Sequence, residues 1–372
     1  MRKMWLFIFV FLVFESRLFA QPSTKQESCN VLAYYTGEAD AIDKFNVSQL
    51  THIIFSFTHL EGSKLHIDKA KDSVTIRKLV SLKKQYPGLK IIFSMGGWGG
   101  CGPCSAVFNT AEGRKEFASS SKHLLQYFEA DGIDLDWEYP AISGFPGHQF
   151  LPEDKENFTA LVAEMRKQFG KKYEISFAAG GFTDYILKSI DWSKVTPLVD
   201  RINLMTYDLV NGFSTVSGHH TPLYSTLQQK ESIANAVYML DSIGVPNSKM
   251  TVGAAFYARV FKLNDTLQNG LYQPCTFYKG VDFNQFNDSI VSNPNYVYHW
   301  DSIAHAPYYF NAKEKLLVSF DNKKSMAEKT KYVIDHGLDG IMFWELTNDV
   351  YQNGLLQAIT DAKNGKAVAK AN

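Results

Sequence analysis

The segment Asp131-Gly-Ile-Asp-Leu-Asp-Trp-Glu138 restricts the fold of this chain more than any other stretch. Asp134, Asp136 and Glu138 alternate in it with Ile133, Leu135 and Trp137. Successive side chains of an extended strand point to opposite faces, so three carboxylates share one face and three large apolar groups share the other. A buried carboxylate is costly unless it is paired or hydrogen-bonded. The pattern therefore means either an edge strand with a solvated acidic face or a buried strand whose acids perform chemistry. Each two-residue step carries a carboxyl about 6.5–7 Å along the strand, which leaves Glu138 outermost, at the carboxyl end. Asp131 has the opposite parity and is expected to stabilise the start of the strand.

The flanking sequence selects the buried alternative. Strand-like runs recur at 31–35, 52–57, 90–95, 133–136, 174–178, 201–205, 249–254 and 340–343, several of them apolar on both faces, as parallel strands covered on both sides are. Helix-period stripes lie between them. Phe158, Leu161, Val162, Met165 and Phe169 form one, and Ile76, Leu79, Val80 and Leu82 another. Ser325-Met-Ala-Glu328 reads as a capping-box start for a helix that stops at Gly337. Eight strands alternating with helices predict an α/β chain folded as a (β/α)8 TIM barrel. No Gly-x-Gly-x-x-Gly loop follows a strand, which argues against a dinucleotide-binding sheet. Residues 262–317, aromatic and Asn-rich, leave room for a small α+β insertion between the seventh and eighth strands. The tail after Ala358 is small and polar and reads as frayed.

Other properties narrow the function classes. Met1-Arg2-Lys3 and the apolar run from Met4 to Phe14, ending in Ala20, read as a signal peptide over 1–20, so a secreted protein without a membrane span is expected. The catalytic unit is then 21–372, expected to be a monomer. A net charge of zero and the lack of basic runs speak against nucleic acid or an anionic membrane as partner. Four cysteines permit up to two disulfides in three pairings; Cys101-Gly-Pro-Cys104 reads as a short disulfide loop at the surface, and no second Cys or His pair stands at zinc-ligand spacing. No metal or cofactor is expected. Aromatic residues make up 14% of the chain, and those not in the core suit the apolar C–H faces of a sugar.

Four motifs in register carry a resemblance. Ser94-Met-Gly-Gly97 closes the third strand, Asp131–Glu138 spans the fourth, Met205-Thr-Tyr-Asp208 closes the sixth and Trp344 ends the eighth. From Tyr34 to Trp344, nearly the whole mature chain, this resembles the family 18 glycoside hydrolases, the chitinases. The resemblance implies a hydrolase of β-1,4-linked N-acetylglucosamine polymers, with chitin or chito-oligosaccharide as partner and a substrate-assisted mechanism rather than a second carboxylate as nucleophile. Glu138 would then be the proton donor. Asp136 would bind the acetamido nitrogen, Asp134 would share a proton with Asp136, and Tyr207 would hold the acetamido carbonyl beneath the anomeric carbon. Trp344 would floor the subsite of the distorted sugar, Trp98 would stack a more distant one, and Tyr34, Phe57 and Tyr139 would line the pocket. Asp208 would touch the sugar or the acid above Met205, and Tyr257 and Arg259 would precede the insertion, Arg259 reaching a hydroxyl. Gly96, Gly97 and Ser94 are read as making space beside the carboxylate strand.

Two other functions fit the same scaffold. One is a chitin- or glycan-binding lectin, which the intact carboxylates and Tyr207 disfavour. The other is an endo-β-N-acetylglucosaminidase acting on N-glycans or peptidoglycan. The insertion is shorter than in many family members, which implies a shallower cleft.

Overall fold

The computed structural model describes residues 29–366, so the expected signal segment 1–20 lies outside the described residues. Eight strands form one parallel sheet: β1 (Asn30–Tyr35), β2 (His52–Glu61), β3 (Lys90–Gly96), β4 (Gly132–Asp136), β5 (Glu174–Gly180), β6 (Arg201–Met205), β7 (Met250–Ala255) and β8 (Gly340–Trp344). β1 pairs with β2 on one side and β8 on the other, which closes the barrel and removes its edges.

Strand alternation divides the apolar residues into two shells. Leu32, Tyr34, Ile54, Ile92, Ala178, Met205 and Met342 fill the barrel interior, while Ile133, Leu135 and Trp137 join the larger core beneath the helices. Helix Asp154–Phe169 buries all five residues of its expected stripe, and helix Ala70–Ser81 buries Ile76 and Leu79. The connection from β1 to β2 contains 3-10 turns, Ala41–Lys44 and Val47–Gln49, where an ideal barrel has an α-helix.

Helix Lys323–Asp335 begins one turn earlier than the Ser325 box suggests. Asn322 is its N-cap and accepts the Ser325 amide at 2.9 Å, while the Ser325 hydroxyl accepts the Asn322 amide at 2.9 Å. Asn is as strong an N-cap as Ser, and here Ser325 takes the third-position role usually held by Glu. Gly337, at φ 59°, follows the helix end as expected. The expected frayed tail begins inside a helix: Leu355–Lys363 buries Leu355, Leu356, Ala358 and Ile359, while 367–372 lie outside the described residues.

At the amino end of the barrel, Arg201 bonds Asp339 and Glu174 and lies against His52. These charges are paired with one another, as burial requires. At the opposite end, β7 leads into a five-stranded antiparallel sheet ordered Cys275–Asp282, Tyr257–Leu263, Leu316–Ser319, Ala306–Asn311, Val297–Asp301. Alternation works here as well: Phe261, Leu263 and Leu317 pack on one face, Val260, Val318 and Phe286 on the other. The helical part is small, two 3-10 turns and the π turn Asn287–Val291, and the sheet runs from Tyr257 to Ser319, slightly beyond the expected 262–317.

Candidate active site

Asp134 is fully buried, and its register explains why that is tolerable. It stands opposite Ser94 of β3 and Ser176 of β5. Four donors from four strands reach it: Tyr34 and Ser94 hydroxyls at 2.9 and 3.2 Å on one oxygen, the Ser176 hydroxyl and Asn203 amide at 2.6 and 2.9 Å on the other. Burial raises its pKa and these four bonds oppose the rise. Both oxygens of Asp134 are thus engaged by donors from other strands. Ser94, read as a spacer, is also a donor.

Asp136 lies one step outward, 4% exposed, and its Oδ1 is buried without a hydrogen-bond partner in the protein. Burial first, then the charges of Glu138 and Asp134, hold its carboxyl well above the usual range. Glu138 follows two residues beyond the end of β4, buried with its pKa pushed up to about 7 by burial; Tyr139 pulls it down and the Asp208 charge adds to the rise. Asp131, as parity suggested, stays outside the site. Lys83 pairs with it at 2.7 Å, and it accepts the Ile91 amide at 2.7 Å, which fixes the start of β3 against β4.

The loops supply the walls. Gly96 and Gly97 have φ of 110° and 82°, and a Cβ would stand 2.3 Å from the Asp136 carbonyl oxygen at the first and 2.5 Å from the Phe57 ring at the second. Both positions therefore require glycine. Phe57 stacks on Trp344, with ring centroids 5.4 Å apart at 19°, and Trp344 also meets Tyr34 at 5.7 Å. Tyr34 itself is 1% exposed and lies under this surface rather than on it. Cis peptides occur at Ser56-Phe57 within β2, at Glu138-Tyr139 after β4 and at Trp344-Glu345 at the end of β8.

Tyr207 follows β6. Its hydroxyl has one weak contact, Met342 sulfur at 4.0 Å, and its ring lies edge-on to Tyr257 at 6.2 Å. Burial foremost, with the charges of Tyr257, Asp136 and Glu138, keeps that hydroxyl protonated. Met205 closes the barrel interior beneath. Asp208 accepts a two-pronged bond from Arg259 at 2.6 and 2.5 Å, and His220 lies 3.6 Å away. Burial opposes its charge, but Arg259 and His220 hold its carboxyl well below the usual range. Arg259 is thus engaged with Asp208 and covers the Tyr257 ring at 4.8 Å.

Trp98 is 49% exposed and forms a cluster with Phe145 at 5.6 Å, Phe213 at 6.2 Å and Tyr139 at 6.5 Å. Reading the sequence missed Phe145 and Phe213, which loops bring from distant positions, and no local pattern marks them. Ser176 and Asn203 were missed although a signal existed. Both occupy inward positions of barrel strands, in step with Ala178 and Met205, where a polar side chain needs a partner.

Comparisons with known proteins bear on this arrangement. The family model described as "Glycosyl hydrolases family 18" matches residues 30–349. Chitinase A1 of Niallia circulans is 35% identical over 299 residues, 74% of this chain but only 42% of that protein's length. Chitotriosidase-1 of Mus musculus is 30% identical over 81% of this chain and 68% of its own. Among solved structures, the family 18 N-acetylglucosaminidase of Paenibacillus barengoltzii superposes with a TM-score of 0.82 at 31% identity, covering 90% of this chain and all of that one. With the family model spanning every barrel strand and the carboxylate ladder of β4 in place, the chain belongs to glycosyl hydrolase family 18.

Proposed function

We propose that the protein hydrolyses β-1,4 linkages between N-acetylglucosamine units, with Glu138 as proton donor and the substrate's own acetamido group as nucleophile. One observation carries this reading. A buried acceptor, Asp136 Oδ1, has no partner in the protein, and a nearby donor, the Tyr207 hydroxyl, has only a sulfur at 4.0 Å. A secondary amide offers one N–H and one C=O, the complement of that pair, and buried polar groups of this kind demand partners. An acetamido group bound between them would have its carbonyl oxygen held for attack, an orientation effect of large size.

Glu138, protonated near neutral pH, would give its proton to the glycosidic oxygen as that oxygen leaves. The acetamido oxygen closes on the anomeric carbon to give an oxazolinium ion, whose charge the newly formed Glu138 carboxylate offsets while Asp136 accepts from its N–H. Glu138, now a carboxylate, takes a proton from the water that opens the ion, with net retention. Trp344 and Phe57 supply the apolar floor for the reacting sugar, and the Trp98 cluster a platform for the next. Relatives named as chitinases favour the polymer as substrate, while the similar N-acetylglucosaminidase structure favours short oligomers. The lectin reading is disfavoured by the complete ladder of acids.

Product analysis on chitotetraose tests the reading, with the anomer first released followed by NMR. Shorter oligomers with the β-anomer first are expected, and an intact substrate or an initial α-anomer would overturn it. Parallel incubation with a high-mannose glycopeptide separates chitin-type from N-glycan cleavage. We also propose that the chain is exported and acts as a monomer; the amino terminus of the mature protein and its mass in solution test both.

A further inference from the structure

The loop that carries Trp98 also carries a covalent bond. Cys101 and Cys104 form a disulfide, and they are only 3% and 0% exposed, not at the surface where a short staple was expected. The surrounding backbone accounts for the burial. The Gly97 amide donates to the Asp136 carbonyl at 2.9 Å, the Gly100 amide to the Gly97 carbonyl at 2.9 Å, and the Cys104 amide to the Cys101 carbonyl at 3.1 Å. Turn by turn, the loop folds back onto the carboxylate strand. A Cβ built on Gly96 would lie 3.4 Å from the Cys101 sulfur.

The other end of the bridge leads to the segment after Glu138. The Ser105 hydroxyl donates to Asp154 at 2.9 Å, and the second oxygen of Asp154 takes the Leu151 amide at 2.7 Å. Residues 97–105 and 139–154 thereby form two walls tied together at their far end. The walls close on each other there: Cys101, Glu138, Tyr139, Gly144 and His148 line a closed cleft with no room for a water molecule. A wall residue of the acid's pocket is therefore half of the disulfide.

We propose that the Cys101–Cys104 bridge is a positioning element for the acid: it holds the Trp98 loop against Glu138, shaping the side of the groove where the leaving sugar sits and keeping water from the carboxyl. The proposal rests on the reading of Glu138 as proton donor. A ring closed over so few residues restrains the unfolded chain less than a long one would, so the effect of the bridge is local to the loop. Opening the pocket to water would lower the Glu138 pKa from about 7 toward the ordinary carboxyl range. The groups facing Glu138 are Asp136 on its own strand, Tyr139, Tyr185 of helix Thr183–Lys188, Tyr207 and Asp208 beyond β6, and His148 across the cleft. None of them is a residue that the substitutions below replace.

The test compares wild type with the double variant Cys101→Ser/Cys104→Ser and with wild type treated with dithiothreitol. That reagent passes two electrons to the disulfide, leaving two protein thiols and its own cyclic disulfide. Initial rates on chitotetraose and on an aryl N-acetylchitobioside give kcat and KM, and a pH profile and thermal melt accompany them. KM for chitotetraose should rise about five-fold, given what small misplacements cost in oriented sites, with a smaller change for the aryl substrate. The alkaline limb should move down by about one pH unit. An unchanged KM and pH profile in an active, bridge-free enzyme would overturn this proposal alone. An equal loss on both substrates, tracking a fall in Tm, would mark the bridge as a mere staple and also overturn it. An inactive wild type would overturn the glycosidase reading and this one with it.

Discussion

Glu138 is the side chain whose ionisation governs the rest. A general acid must be protonated to act, and burial pushes its pKa up to about 7. Turnover of chitotetraose is therefore expected to fall as pH rises through that value, and a rate that stayed level to pH 9 would contradict the assignment. Glu138→Gln should lose about 10²–10⁴ in kcat, the usual worth of an acid–base group, with circular dichroism and oligosaccharide affinity retained. The same shift affects stability. Between the ordinary carboxyl value of 4.5 and about 7, folded Glu138 keeps a proton that the unfolded chain has released, so stability falls as pH rises through this window. The Gln variant should accordingly melt higher than wild type at pH 8 and equally at pH 4. The alternating parity of 131–138 made this residue and its two neighbours readable in the sequence. Tyr207 was readable only through its motif, because a lone tyrosine after a strand has no distinguishing period.

Among the elements, β1, β3, β5 and β6 converge on one carboxylate. Asn203→Ala removes one of the four donors to Asp134, and should lower stability by about 1–3 kcal/mol and reduce kcat more than it changes KM, since the proposed mechanism puts Asp134 beneath the reacting sugar. Thermal melts with steady-state kinetics measure both effects, and a variant with native kcat would separate Asp134 from catalysis. Helix Lys323–Asp335 offers a contrast. Asn322→Ala should cost about 1 kcal/mol through the lost cap and change kcat less than Asn203→Ala does, because Asn322 bonds Ser325 and Tyr298 and none of the acids of β4. Strand positions were legible because buried parallel strands are long apolar runs. The true start of this helix was not, because Asn322 and Ser325 are both capable caps and no local pattern ranks one over the other.

For the whole molecule, the informative junction is the one between barrel and inserted sheet. Arg259 stands on the first strand of that sheet and grips Asp208 beyond β6, so one ion pair joins the two parts beside the acid. Arg259→Ala should lower Tm modestly, since both side chains keep some solvent contact. It should also raise the Glu138 pKa, because the Asp208 charge that already pushes it up would lose its counterion. An alkaline limb displaced to higher pH in this variant is the expected readout; no displacement would mean that the pair is only a tether.

Local periodicity alone was enough to set the alternation of strands and helices and the acidic face of β4, because these follow from side-chain direction within a few residues. The partners of those acids came from chain closure. Ser176, Asn203 and Tyr34 reach Asp134, Arg259 reaches Asp208, and Cys101 lines the same closed cleft as Glu138, through contacts whose separations in sequence carry no period. A strand's own residues announce which way they face, but what they meet depends on strand register around the ring, and register is settled only when the eighth strand docks on the first.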